Sequence, residues 1–461
     1  MATFTVTTLV DENDNGATTT INFGLGGSSE VPAGPRVSLR EAVKMANANG
    51  GDDTIVFANN LSGLIRLTNG QIEITNGLTI DGGGQITISG DGDGDDAAFI
   101  GNVTDVPASG AGALDNNSRL FYGSADLTLT GLTLTGGRTT GVDEAGGAVF
   151  TTGSVTITDS VIAGNSTVND GAAGGGIYAG GDLIVENSTI SRNLSYGAVA
   201  DGGSLFALGD VMISNSTITG NCAASGDALG GGVASEGDIT VSNSIILGNY
   251  NPGTYAKELI ELTGGTGDTL ITVEGTNIIG VDIEAFDAGS AVEPGSSGTA
   301  ENAEPAQVFD RLVNSNVVIH GELGLNGGIG PSVGLLNDVN NPALDAITQG
   351  GIDGRGLARG VDLVAVDNGG TSDIGAFELQ LQPPTAATIT YANQFTVSEN
   401  DAIAGDVEAD DPVQSEGDGL IYSIIAGADA ALFSINSTTG VFSFTTPPDF
   451  ETPGDADGDN V

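Results

Sequence analysis

Residues 155–193 read VTITDSVIAGNSTVNDGAAGGGIYAGGDLIVENSTISRN, and this stretch decides the fold because its second part rewrites its first at a fixed step. Val155 and Ile157 return as Leu183 and Val185, and the two columns extend from Leu127 and Leu129 to Ile239 and Val241 in steps of 28. Leu134, Ile162, Ile190, Ile218 and Ile246 make a third apolar column. Polar columns keep the same step: Asp159, Asn187, Asn215, Asn243; Ser160, Ser188, Ser216, Ser244; Asn165, Asn193, Asn221, Asn249. The glycine pairs Gly146-Gly147, Gly175-Gly176, Gly202-Gly203 and Gly231-Gly232 depart from the strict step and read as sites of insertion.

A constant step with apolar residues two apart describes short strands whose alternate side chains enter one shared interior. No unit of this size buries its apolar edge alone, so stability must come from stacking on neighbours at the ~4.8 Å spacing of strand pairing. Identical residues then lie above one another, and stacked amides can hydrogen-bond from coil to coil. A leucine-rich repeat of this length needs a helix or ordered turn in each second half, but NDGAAGGGIYAGGD has no helical period. The reading is an all-β protein built on a right-handed parallel β-helix.

Composition sets the limits. The 461 residues exceed one ordinary domain, and 75 glycines, no tryptophan and 5% aromatics favour thin layers over a thick globular core. Sixty acidic residues against eleven Lys plus Arg give a formal charge of −49, which repels nucleic acid and anionic lipid and favours divalent cations. Cys222 is the single cysteine and reads as a small packed residue. No apolar run is long enough to span a membrane. MATFTVTTLVDENDNG lacks the basic and apolar regions of a signal peptide, so the expectation is either an export signal beyond this stretch, as for C-terminal secretion signals, or a start at the mature end, and the chain reads as a fragment.

Taken in order, the chain opens with the strand TFTVTTLV and then DENDNG, Asp11 to Gly16. That hexapeptide matches half of an EF-hand loop, but Asn22 stands where the bidentate Glu belongs, so an acidic turn is expected. Ser38 to Ala48 reads as a helix: Ser38 and Glu41 form a capping box, Leu39, Ala42, Val43 and Ala46 share a face, and Asn49-Gly50-Gly51 ends it. Such a helix suits a lid on the open first coil. DTIVF, GLIRL, IEIT and LTIDGGGQITISG then read as the first coils, and LITVEGTNIIG as a late one. EAFDAGSAVEPGSSGTAENAEPAQ reads as an acidic insertion without regular structure, after which residues up to 379 close the stack.

The opening FTVTTLVDENDNG…SLREAVKMANANGGDDTIVF resembles the N-terminal signature of bacterial secreted β-helix proteins. NPALDAITQGGIDGRGLARG…SDIGAFEL, Asn341 to Leu379, resembles the close of the same family, the choice-of-anchor Q proteins. Coils such as GGAVF…VTITDSVIAGN are similar to the repeats of polymorphic outer-membrane autotransporter passengers. These resemblances cover about residues 3–380 and imply a bacterial, secreted or cell-surface protein more than any one activity. They also imply that Asp353, Arg355, Arg359 and Asp373 form a structural ion-pair clasp.

QLQPPTAAT, Gln380 to Thr388, reads as a linker, and the period then changes to that of separate strands with turns between them, the pattern of a β-sandwich. The expected domains are thus residues 1–379, a β-helix, and residues 389–461, a second module. FTVSEN, VEADD, LIYSI, FSINSTTGVFSF, PDFE and DADGDNV make that module similar to a cadherin repeat of the bacterial kind, cut short at its C-terminus. By position, the resemblance implies one Ca²⁺ half-site from Glu399, Asp449 and Glu451 and another from Asp410 and Asp411. Asp455, Asp457 and Asp459 have EF-like spacing and are further candidates. Hard cations need six or more oxygens, which clustered carboxylates at a module end supply.

The β-helix fold also hosts pectate lyases and polygalacturonases. Between residues 127 and 249 the only basic residues are Arg138 and Arg192, the sole histidine is His320, and no RxK segment exists, so neither chemistry has its residues in the coils. Two aspartates on one face, or Asp91, Asp93, Asp95 and Asp96, would be the elements of a glycosidase. The expected function is non-catalytic: Ca²⁺-dependent adhesion to a protein or glycan, or self-association into an extracellular filament, with no nucleic acid bound and no membrane insertion.

Overall fold

A computed structural model of the chain describes residues 1–12, 36–92, 117–141, 144–168, 170–197, 201–224, 229–252, 258–262, 270–280, 283–285, 291–294, 303–314, 318–324, 326, 331–338, 340–359, 371–379, 388–389, 403–406, 409–410, 422–424, 432–437 and 439–447. Two compact units divide at Gln380 and Leu381.

In the first unit the 28-residue step is the strand register. Val155 pairs in parallel with Leu127 below and Leu183 above, and Ile162 with Leu134 and Ile190. A continuous sheet carries the strands from Leu78–Ser89 and Leu127–Thr135 up to Ala291–Pro294. A second, eight-stranded sheet runs from Ile72–Ile74 through Val149–Thr151 to Ile283–Ala285. A third, short one joins Arg138–Thr139, Ser166–Val168, Leu194–Tyr196 and Cys222–Ala223. Inward residues of the three apolar columns, such as Val155, Ile157 and Ile162, are 0% exposed. Each fully buried aliphatic side chain contributes about 1.5–3 kcal/mol, so the interior column is what holds the coils together.

The polar columns turn the chain between sheets. Asp159, Asn187, Asn215 and Asn243 all take φ near +50°, a conformation that Asn and Asp tolerate better than other residues with a Cβ. The hydroxyls of Ser188, Ser216 and in turn Ser244 accept the backbone N–H of the serine one coil below, each at 3.1 Å. The Asn165, Asn193, Asn221 and Asn249 amides are fully buried and bond upward at 3.0, 3.0 and 2.8 Å. Glu258 ends that ladder, its carboxylate accepting from the Gly248 and Asn249 backbone and from Asn249 Nδ2. Asn277 ends the serine ladder by accepting from Ser244 N at 2.8 Å.

Two expectations need correction here. The glycine turns are no insertions: Gly146, Gly174, Gly202 and Gly230, each with φ between 63° and 69°, recur at the same step and lie in register. A Cβ on Gly147 or Gly175 would run into the carbonyl of the coil above, so here glycine also allows close stacking of coils. The segment expected to lack regular structure contributes Ile283–Ala285 and Ala291–Pro294, which pair with Leu259–Glu261 and Leu270–Glu274 as another coil, followed by a short helix at Pro305–Val308. Its irregular step hid the strand pairing.

The helix forms at Leu39–Asn49 with both halves of the Ser38–Glu41 capping box in place. Leu39, Ala42, Val43 and Ala46 are buried in the same cluster as the interior column. Asp11, the first acid of the EF-like hexapeptide, is buried and bridges Arg40 at 2.7 and 2.9 Å, so its carboxylate is engaged in docking this helix. Residues 13–16 of the hexapeptide lie outside the described residues.

The described residues of 303–379 do not simply close the last coil. Val308, Phe309, Leu344, Ile374 and Phe377 pack on Ile245, Leu247 and Ile278. Gly375 donates to Asn243 O and Ala376 to Thr217 Oγ1, so this segment lies along the flank of the column. In the second unit the described strands are antiparallel: Ile403–Asp406 with Val441–Phe444, the latter with Phe433–Ile435, and Thr388–Ile389 with Ala409–Asp410.

Candidate functional site

The main sheet presents a regular outer face. One row carries Thr128, Thr156, Ile184, Met212 and Thr240 at successive coils, and the row two residues on carries Thr130, Thr158, Glu186, Ser214 and Ser242. Ile184 and Met212 are 36% and 52% exposed, so the first row is apolar at its middle, while the second carries the exposed Glu186 between hydroxyls.

One margin of this face is an acidic rail. Asp126 Oδ1 accepts from Ser154 N at 2.8 Å, Ser154 Oγ from Asp182 N at 3.1 Å, Asp182 from Asp210 N at 3.0 Å, and Asp210 from Asp238 N at 2.9 Å. Each carboxylate thus caps a turn while its remaining charge faces solvent. Beyond the rail, Tyr122, Phe150, Tyr178 and Phe206 stack at 5.3, 4.9 and 5.2 Å with interplanar angles of 10° to 15°. Arg119 sits 5.3 and 5.4 Å from the first two ring centroids while donating to the Ala145 and Gly146 carbonyls. Since the rings cover one another's faces, this ladder presents edges, and it joins coils more than it offers a platform. The step of 28 from Tyr122 to Phe206 would have revealed it in the sequence.

The other margin holds a cleft of about 230 Å³ where the flanking segment meets the turn column. Its floor is Gly83, Gly84, Gly131 and Thr130, its acids are Asp81 and Asp159, and its far wall is Ile352, Gly354 and Arg355. Asp159 is half-buried; desolvation raises its carboxyl above the ordinary value, against a hydrogen bond from Asn187 that lowers it. Asp159 Oδ1 is buried without a hydrogen-bond partner. Arg355 has its charge engaged elsewhere: it pairs with Asp353 at 2.6 Å, donates to the Asn326 and Glu378 carbonyls, and lies 3.7 Å over the Phe377 ring.

The clasp residues come together, with two additions. Asp353 pairs with Arg355, while Arg359 pairs with Glu378 at 3.8 Å, and Asp373 accepts from the Asp345 and Leu379 backbone at 2.9 and 2.5 Å. Glu378 and Asp345 were missed because neither stands in a charge motif. Asp91 bridges Arg66 at 2.9 Å, and Asp93, Asp95 and Asp96 lie outside the described residues. His320 is buried against the backbone of Gly220. Cys222 is 0% exposed, and burial pushes its thiol up to about 12.

Of the carboxylates assigned to Ca²⁺, Glu399, Asp411, Asp449, Glu451, Asp455, Asp457 and Asp459 lie outside the described residues. Asp410 is placed only as backbone, opposite Thr388. Among the described residues no group of three or more His, Cys, Asp or Glu side chains is arranged to hold a metal ion, and no helix is long and apolar enough to cross a membrane.

Residues 102–302 match the family model described as right handed beta helix region. The match spans the regular coils, so the first unit is a right-handed parallel β-helix. No curated protein and no solved structure matches the chain.

Proposed function

We propose that this chain is a non-catalytic extracellular surface protein of bacterial type, in which the β-helix is a rigid stalk and the second unit is a cadherin-like, Ca²⁺-dependent module. The observation that carries the reading is that the serine, asparagine and aspartate columns bond one coil to the next, leaving a flat threonine-rich and apolar face open for contact with a protein or glycan. A column tied by so many buried ladders resists bending, which suits a stalk. The helix Leu39–Asn49 shields the first coils as a lid, and the net charge of −49 favours a chain that is completed by cations.

Calorimetry of the full chain with Ca²⁺ and with chelator tests the metal part. A Ca²⁺-dependent rise in one of two transitions, with stoichiometric binding, supports it. Identical traces remove the metal and leave the stalk alone. Electron microscopy of the same samples separates monodisperse rods, expected for an adhesin, from ordered fibres, which would make the chain a filament protomer.

The cleft favours one second reading, a carbohydrate-active enzyme in which the half-buried Asp159 acts as acid opposite Asp81. Turnover on any member of a polysaccharide panel, lost in Asp159→Asn, would replace the non-catalytic reading.

A further inference from the structure

We propose that the described residues of 303–379 are held on the flank of the β-helix by a proton-dependent clasp: the docked segment retains a carboxyl proton at Asp373, and losing it lets the segment lift from the coils.

The buried charges of this segment do not balance. Asp345, Asp353, Asp373 and Glu378 are at most 1% exposed, and among the described residues the cations buried with them are Arg355 and Arg359. Arg355 is taken by Asp353, and Arg359, 3.8 Å from Glu378, is shared electrostatically among Glu378, Asp353 and Asp373. Asp373 has backbone N–H groups from Asp345 and Leu379 on its two oxygens, and its own N–H donates to Glu378 Oε2 at 2.8 Å. Asp159 of the column, which feels the charges of Asp353 and Arg359 and of its neighbour Glu186, is acidic as well. A buried carboxylate without its own counter-charge is so costly that the group takes up a proton instead.

Burial, opposed by the backbone N–H groups of Leu379 and Asp345 and reinforced by the Glu378 and Asp345 charges, pushes the Asp373 carboxyl up to about 7 from an ordinary value of 3.8. Because the docked value is the raised one, its contribution is complete below about pH 4 and is lost as pH rises through 7. His320, on the strand Ile319–Gly321 of the same segment, titrates with the opposite sign. Its Nε2 is buried without a partner and its ring packs on Gly220, and burial lowers its value, with Arg192 close by. Its contribution is present above its ordinary value of 6.5 and is lost as pH falls through the depressed one. The clasp is therefore tightest in mildly acidic conditions. Lifting it uncovers Thr217, Ile245 and Leu247 on one sheet and Cys222 on another.

Hydrogen exchange read by mass spectrometry, corrected for the intrinsic pH dependence of exchange, tests this on the full chain between pH 5 and 8. The ratio of opening constants for peptides within 371–379, wild type over Asp373→Asn, cancels the His320 titration. It should rise at least ten-fold between pH 5 and 7 and level off above, while coil peptides within 176–184 stay unchanged. If Asp373→Asn leaves the segment undocked at every pH, Glu378→Gln decides, because removing that charge should shrink the wild-type rise. A ratio that is flat with pH, or a Glu378→Gln protein with the full wild-type rise, overturns the proposal.

Discussion

Replacing Asn193 by Ala tests the ladder at its centre. The Asn193 side chain donates to Ile162 O at 2.8 Å and to Asn221 Oδ1 at 3.0 Å, and accepts from Asn165 N at 3.1 Å and Asn165 Nδ2 at 3.0 Å. It is 0% exposed, so no solvent replaces those bonds. Asn165 Nδ2 keeps Leu134 O, and Asn221 Oδ1 keeps the Asn193 backbone N–H. The Asn165 N–H and the Ile162 carbonyl lose their amide partner outright. At about 1–3 kcal/mol for each buried group left without a partner, the substitution should destabilise the unit by about 3–5 kcal/mol. Thr156→Ala, on the open face one turn away, should cost less than about 1 kcal/mol. Denaturant unfolding followed by far-ultraviolet circular dichroism compares the two. In a stacked array the loss should also broaden the transition, because coils on either side become less coupled. An Asn193→Ala protein no less stable than Thr156→Ala would refute the ladder as a source of stability.

Two further outcomes follow from the same geometry. Glu258→Gln replaces one of two oxygens that accept three N–H donors by an NH₂ group, and should lower stability by about 1–3 kcal/mol in the same denaturant assay; an unchanged midpoint would mean that the ladder needs no carboxylate terminus. With its thiol raised to about 12 from 9.0, Cys222 should carry about a thousand-fold less thiolate at pH 8 than in the unfolded chain, so a disulfide reagent should label it only after denaturant is added, whereas prompt native labelling would contradict its burial.

Most of the first unit was legible because its cause is periodic. Apolar residues two apart at a 28-residue step admit one explanation, and the registers at Val155, Ile162 and Asn165 follow from it. The helix at Leu39 was equally local, resting on a capping box and one apolar face. What escaped was non-local or aperiodic. The coil at Ile283–Ala285 lacks the step, the flanking segment docks through side chains such as Leu344, Ile374 and Phe377 that follow no repeat, and Glu258 closes the asparagine ladder from a position no repeat marks. The aromatic ladder was periodic and was overlooked because the glycine turns beside it were read as out of step. For the site the balance is reversed. The cleft at Asp159 depends on a chain some two hundred residues away, so Asp159 read as a turn residue alone.

Residues 28 apart lie in register on adjacent rungs of one column. Thr156 and Ile184 are such partners and both face outward, with Cα atoms at the ~4.8 Å of paired strands, within the range that a disulfide spans. Thr240 lies three rungs above Thr156, about 14 Å away. Thr156→Cys with Ile184→Cys should oxidise to a closed disulfide in the folded protein, and Thr156→Cys with Thr240→Cys should stay reduced under the same conditions. A distant pair that closes as readily as the adjacent one, or an adjacent pair that stays open in folded protein, would contradict the stacked column.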